Sequence, residues 1–363
     1  MSKPVRVLVV DDSALMRKLI PQILAADRAI QVVGTAMDGA FALKKIAELQ
    51  PDVVTLDLEM PRMDGLDTLR EITRRFEIPV IIVSAHTRNA ASAAFNALAL
   101  GAFDFVSKPG DASSGNLQEI AGELAAKIKV AAQVGLRKIT LPAPALARKR
   151  DKPLWRPVVA PTRVIGIGIS TGGPNTLQYV LAQIPQEFLG TILVVQHMPA
   201  GFTEMFARRL DQHTLLHVKE AQSGDLLLAG RVLICPGDKH MKIHRSPAGF
   251  VVVLSDQERV NGHRPSVDVL FRSLAQEFGS SALAVLMTGM GADGAEGMGV
   301  VKSAGGLTLA QSPESCVVDT MPRAAIDRGH ASRVIALEAL AGTLQAECAA
   351  APALKSEFVS LLR

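Results

Sequence analysis

Residues 164–174 read VIGIGISTGGP, a β-branched run that ends in a glycine-rich turn. Glycines directly after a strand can receive a dinucleotide pyrophosphate, whereas Gly168-Ile169-Ser170-Thr171-Gly172 fits G-x-S-x-G, a serine held on a strand-to-helix elbow. The dinucleotide reading requires a glycine five residues after Gly166, and Thr171 stands there. It also requires an acid at the end of the next strand to bind ribose hydroxyls, but TILVVQHMP (191–199) offers Gln196 and His197. Both requirements fail. The nucleophile reading predicts a helix directly after the serine. Pro174 suits a first helical turn, and Leu177, Val180, Leu181 and Ile184 form an apolar stripe beyond it. Backbone amides at such a helix start stabilise an oxyanion. A bland alternative stays open here, in which Ser170 or Thr171 only caps the helix.

A nucleophilic serine needs a base and an orienting acid. Of the eight histidines, His197 lies directly at the end of a predicted strand, where a parallel sheet gathers its chemistry. His213/His217 and His240/His244 are spaced i, i+4, but lack the H-E-x-x-H glutamate and a third zinc ligand, so they read as structural or surface residues. The apolar run ALAVLM (282–287) ends in a glycine-rich turn whose first acid is Asp293, with Glu296 as its rival further into the following helix. The mechanism predicted is attack by Ser170, proton acceptance by His197 and tautomer control by Asp293. The chain order Ser…His…Asp differs from the Ser…Asp…His of α/β-hydrolases, which excludes that fold.

Moving outward, 363 residues predict two domains, and 48% hydrophobic with only 4% aromatic residues is the composition of α/β layers. No apolar run is long enough to span a bilayer, and MSKPVRVLVVDD is no signal peptide. Cys235, Cys316 and Cys348 are scattered, as suits a reducing cytoplasm. The net charge of +4 resides in one segment. Residues 137–156 hold seven Lys/Arg and one acid, leaving 32 of the 39 basic and 34 of the 35 acidic residues elsewhere. Two near-neutral domains joined by a basic, Pro-rich linker give no case for nucleic-acid binding.

Before the linker, residues 5–125 alternate VRVLVV, QVVGTA, DVVTLDL, PVIIVSA and FDFVSK with amphipathic helical segments, which predicts a doubly wound parallel sheet. Asp11 and Asp12 follow the first strand, Asp57 the third, Ser84 the fourth and Lys108 the fifth. Converging carboxylates call for a hard cation such as Mg²⁺. A facing ammonium and hydroxyl can hold the oxygens of a phosphoryl group on Asp57. After the linker VIGIGI, TILVVQ, RVLICP, FVVVLS, ALAVLMTG and GLTLAQ repeat the α/β alternation.

The first half resembles a response-regulator receiver domain over VVDDS and TLDLEMPRMDG. The resemblance implies a flavodoxin-like fold, phosphorylation at Asp57, Mg²⁺ on Asp11, Asp12, Asp57 and the Glu59 carbonyl, and supporting roles for Ser84, Lys108 and the switch aromatic Phe105. In the second half STGGP, VVQHMPAGFT, CPGDKHM, RPSVDVLF, LMTGMGADGAEG and MPRAA occur in order. Together they resemble the catalytic domain of the chemotaxis protein-glutamate methylesterases. That implies a Rossmann-like α/β domain with the triad Ser170, His197 and Asp293, supported by Thr171 and the Met290 amide. It further implies a γ-glutamyl methyl ester substrate on chemoreceptors, glutamine deamidation as a second activity, a histidine kinase as phosphodonor and a cytoplasmic location. Ile169 departs from the smaller residue expected there.

The expected organisation is a receiver over 1–125, a linker over 126–160, a catalytic domain over 161–350 and a tail over 351–363. Phosphorylation at Asp57 is expected to loosen the receiver's hold on the serine site. A transcription factor, the commonest partner of a receiver, would need a compact basic helix-turn-helix module in place of this second half. A catalytically silent docking protein would leave Ser170 unreactive.

Overall fold

The structure, a computed structural model, describes residues 3–85, 87–108, 117–135 and 160–351. The chain divides near residue 140 into two compact units.

The first unit runs β1 (Val5–Val10), α1 (Ala14–Leu24), β2 (Ile30–Ala36), α2 (Gly39–Leu49), β3 (Val53–Leu56), α3 (Gly65–Arg75), β4 (Val80–Ser84), α4 (Arg88–Ala99), β5 (Asp104–Ser107) and α5 (Leu117–Val134). Its strands form one sheet in the order β2-β1-β3-β4-β5, with every pairing parallel. β3, β4 and β5 are buried along their whole length because helices cover both faces, which is why they read as continuous apolar runs. Four helix starts are capped by side chains, from Ser13, Asp38, Asp64 and Thr87, and these fix where each loop leaves the sheet. The fifth helix runs past residue 125 to Val134 and buries Lys127, Ile128 and Ala131. The first nine residues assigned to a linker are therefore helical. The basic Pro-rich cluster, within 136–159, and the tail 352–363 lie outside the described residues.

The second unit comprises β6 (Arg163–Ile169), α6 (Gly173–Leu181), β7 (Gly190–Gln196), α7 (Phe202–His213), β8 (His217–Glu220), β9 (Arg231–Ile234), β10 (His240–Ser246), β11 (Gly249–Ser255), α8 (Val267–Phe278), β12 (Ala282–Leu286), α9 (Ala295–Ser303), β13 (Leu307–Gln311), α10 (Thr320–Asp327), β14 (Arg333–Ile335) and α11 (Leu337–Ala349). Seven strands make a parallel sheet in the order β14-β13-β12-β6-β7-β9-β8. The chain moves from β6 outward to β7 on one side and later returns to β12 on the other. A crevice therefore opens at the carboxyl ends of β6, β7 and β12, where open α/β sheets bind ligands.

One strand departs from the expected alternation. FVVVLS, read as another parallel strand, is β11, which pairs antiparallel with β10 outside the main sheet. The period-2 alternation of HMKIHRS and the Ser-Pro-Ala-Gly turn after it are a hairpin signal. All three cysteines are free and buried. Among the described residues no helix is long and apolar enough to cross a membrane.

Candidate active site

Ser170 is the first residue beyond β6, and its amide donates to the Thr288 carbonyl at 3.0 Å, tying it to the loop after β12. The helix that follows is capped by Gly172 at φ 75°, a left-handed conformation that a glycine adopts without strain. Gly172 supplies no side-chain cap, and Thr171 Oγ1 is buried with no hydrogen-bond partner among the described residues, so capping does not account for the Thr171 hydroxyl. Ile169 is fully buried. A Cβ on Gly173 would come within 2.9 Å of Ile169 Cγ1 and 2.2 Å of Gln196 Oε1, so the bare glycine makes room for the larger residue.

Strand register brings the histidine to the serine. Ile169 faces Gln196 across β6 and β7, so Ser170 and His197 are the next residues on neighbouring strands. The His197 amide donates to Ile169 O at 3.2 Å, and Gln196 Nε2 donates to Ser170 O at 3.0 Å. His197 Nε2 lies 2.9 Å from Asp293 Oδ2. Nδ1, the other ring nitrogen, is buried with no hydrogen bond among the described residues. Glu296, the rival acid, instead pairs with Arg328 at 3.2 Å. Gly289 and Gly291 donate their amides to Val318 O and Thr320 Oγ1, on either side of Met290.

Asp293 is held from a direction the sequence does not advertise. It sits at the start of α8, accepting from the Val267 amide at 2.7 Å, the Ser266 hydroxyl at 2.8 Å and the Asp268 amide at 3.4 Å. Asn261 Nδ2 donates to Asp293 Oδ1 at 2.9 Å and to Asp268 Oδ2 at 2.9 Å. The aligned peptide dipoles of a helix start favour a negative charge. Burial alone would raise the carboxyl, but the His197 contact, the Asn261 donor and the Val267 amide outweigh it and hold Asp293 well below the usual carboxylate range. His263 stacks on His197, with ring centroids 3.9 Å apart and planes 4° from parallel.

The i, i+4 histidine pairs form no metal site among the described residues. His240 is buried, takes the Ser266 amide on Nδ1 at 3.3 Å and contacts Glu258 O through Nε2 at 2.9 Å. Its role is to fix the loop that reaches Asp293. His213 contacts Arg209 O on its own helix.

In the first unit, Asp11, Asp12 and Asp57 place carboxylate oxygens within 4.8 Å of one another. Lys108 Nζ lies 2.7 Å from Asp57 Oδ2 and 2.9 Å from Asp11 Oδ2. Burial raises the Asp57 carboxyl, and the Lys108 contact and charge offset this only in part, while Asp11 adds to it. Burial would lower Lys108, but its bonds to Asp57 and Asp11 reverse that, so the ammonium is held charged. One exposed and two buried carboxylates with hard oxygen donors fit a small divalent cation. The Glu59 amide donates to Asp57 Oδ1 at 3.3 Å. Ser84 Oγ donates to Ala90 O at 3.4 Å, and the buried Phe105 ring meets Phe95 edge-on at 6.0 Å.

Comparison with known proteins gives two family matches. The CheB methylesterase profile matches residues 165–344, and the response regulator receiver domain profile matches residues 7–118. A protein-glutamate methylesterase/protein-glutamine glutaminase 2 of Koribacter versatilis is 60% identical over 352 residues, covering 96% of this chain and 97% of that one. Its namesake in Pseudomonas aeruginosa is 44% identical over 346 residues, covering 95% and 97%. The crystal structure of the Thermotoga maritima CheB methylesterase catalytic domain superposes with a TM-score of 0.50 at 38% identity, over 51% of this chain and 97% of that one.

Proposed function

The chain belongs to the protein-glutamate methylesterase/protein-glutamine glutaminase family, with a receiver domain ahead of the esterase, and from that premise we propose a phosphorylation-activated serine esterase of chemotactic adaptation. Its substrates are glutamate γ-methyl esters on chemoreceptors, from which it releases methanol, and glutamine side chains, which it deamidates. The observation that carries this reading is the 2.9 Å contact between His197 and Asp293, with His197 in register beside the Ser170 turn.

Ser170 Oγ attacks the ester carbonyl carbon and gives its proton to His197 Nδ1. Nε2–H faces Asp293 Oδ2, and Nδ1 is therefore the nitrogen left to accept. The protonated imidazole then returns its proton to the departing methoxide, and water hydrolyses the acyl-serine by the same route. The Met290 amide and Thr171 support the oxyanion and the histidine, in keeping with the family resemblance.

In the receiver, Asp57 accepts a phosphoryl group from a histidine kinase. Asp11, Asp12, Asp57 and the Glu59 carbonyl would hold Mg²⁺, which when bound would neutralise the charge that gathers there. Lys108 and Ser84 bind the transferred oxygens, and Phe105 reports the change toward the rest of the receiver. The cytoplasm, where receptor tails and kinase meet, is the compartment this chemistry requires.

Methanol release from methylated receptor membranes, with and without a small-molecule phosphodonor, tests both halves. Wild type is stimulated, Asp57→Asn is not, and Ser170→Ala releases none. Release by Ser170→Ala at the wild-type rate would overturn the mechanism.

A further inference from the structure

Two buried carboxylates meet beside the esterase site, although only one contacts the histidine. Asp268 and Asp293 are 1% and 2% exposed, and both accept from the same Asn261 nitrogen. Like charges in a low-dielectric corner repel unless donors lie between them. Asn261 is that donor. Acceptors on both sides admit only the NH₂ end of the amide, which fixes its orientation. The backbone is shaped for the task, since Asn261 has φ 54°, a left-handed conformation that asparagine tolerates better than most residues.

We propose that Asn261 is a positioning residue for the esterase reaction, transmitting the placement of α8 and α9 to the triad acid. Asp268 is the anchored end, because its Oδ1 takes the Gly297 amide of α9 at 2.7 Å and Arg272 reaches its Oδ2 at 3.5 Å. Asn261 spans from Asp268 Oδ2 to Asp293 Oδ1. With Oδ1 held by Asn261 and Ser266, Oδ2 is the oxygen presented to His197 Nε2 and the Val267 amide. Without the bridge, the carboxylate can rotate away from the imidazole, and its charge faces Asp268 unshielded. This inference rests on Asp293 being the triad acid.

The test uses the full chain, with the pH dependence of Ser170 labelling by a fluorophosphonate as a readout that needs no receptor. Asn261→Gly keeps the left-handed backbone accessible and removes only the amide. Asn261→Asp keeps the shape and replaces the donor by a third carboxyl. The ionisable groups facing this corner are His197, His263 stacked on it, Asp268, Arg272 and His240 behind Ser266. Asn261→Gly is expected to label about tenfold more slowly at neutral pH, the scale of one lost hydrogen bond to a charged group. In methanol release it lowers kcat with KM unchanged. In Asn261→Asp the added negative charge favours the imidazolium, so the acidic limb of labelling moves to higher pH. Variants that melt earlier but keep the parent's labelling rate and pH profile would make Asn261 merely structural and overturn the proposal. If the parent enzyme labels no faster than Ser170→Ala, the esterase reading fails and takes this inference with it.

Discussion

Asp293 Oδ2 contacts His197 Nε2 at 2.9 Å from a seat at the amino end of α8, so the acid is charged by the fold before any substrate arrives. Asp293→Asn keeps the shape and removes the charge that fixes the imidazole tautomer and stabilises the imidazolium. Methanol release is expected to fall by about 10⁴-fold in kcat, a loss typical of triad acids. A fall of less than tenfold would show that His197 needs no such partner.

The same carboxylate links the site to stability. A carboxyl depressed in the folded state contributes stability that is fully present above its unfolded value of about 3.9 and is lost as pH falls through the folded value. At pH 7, Asp293→Asn should therefore unfold at lower urea than the parent. The gap between them should narrow as the pH is taken below about 4. A gap of constant size from pH 7 to pH 3 would contradict the assignment.

Most of this geometry was readable because a parallel sheet collects its chemistry at strand ends. Ser170, His197, Asp11, Asp57, Ser84 and Lys108 each stand at or just beyond a strand that can be recognised from its apolar run. Asn261, His263 and Ser266 were not readable. They lie on a loop between β11 and α8 that turns through a left-handed Asn261, and no local pattern points that loop at Asp293. The linker boundary at 125 fell short for a related reason. Two of the groups that hold Lys127, the Asp104 carboxylate and the Phe105 carbonyl, are more than twenty positions away and beyond the reach of helical periodicity.

Gly289 tests how closely the loop after β12 must approach the serine. A Cβ there would lie 2.3 Å from Met321 Sδ and 2.8 Å from Ser170 Cβ. The methionine side chain can give way, but Ser170, met at its Cβ and at its backbone nitrogen 3.1 Å away, can do so only by shifting the turn after β6. Gly289→Ala should reduce kcat about 10²-fold, the cost of a misplacement near 1 Å, while the folded content measured by circular dichroism is retained. Unchanged kcat would mean that the loop relaxes without moving the serine.

The acidic cluster predicts stabilisation by Mg²⁺. A cation that binds only the folded receiver raises its stability by about 1.4 kcal/mol at ten times its dissociation constant. Asp12 is the exposed member of the cluster, so Asp12→Asn removes a ligand with little disturbance of the core. Thermal unfolding of the receiver should shift upward with Mg²⁺ in the parent and far less in Asp12→Asn. An equal shift in both would place the cation elsewhere.

Lys127 joins α5 to β5 and should be among the most costly residues of the receiver to remove. Its Nζ lies 3.2 Å from Asp104 Oδ2 and 2.8 Å from Glu123 Oε1, and donates to Phe105 O at 2.7 Å. Burial would lower the ammonium, but Asp104 and Glu123 outweigh it and hold it above its ordinary value. Its contribution is therefore present below about pH 10.4 and lost as the pH rises through the folded value. Lys127→Met preserves much of the packing but strands the buried Asp104 carboxylate, at a cost of about 3 kcal/mol in the receiver's urea transition. Adding Asp104→Asn should recover part of that loss, because the stranded charge is then gone. If the double variant is instead less stable than Lys127→Met by the full effect of Asp104→Asn alone, the two residues are not coupled and α5 is held by its apolar face.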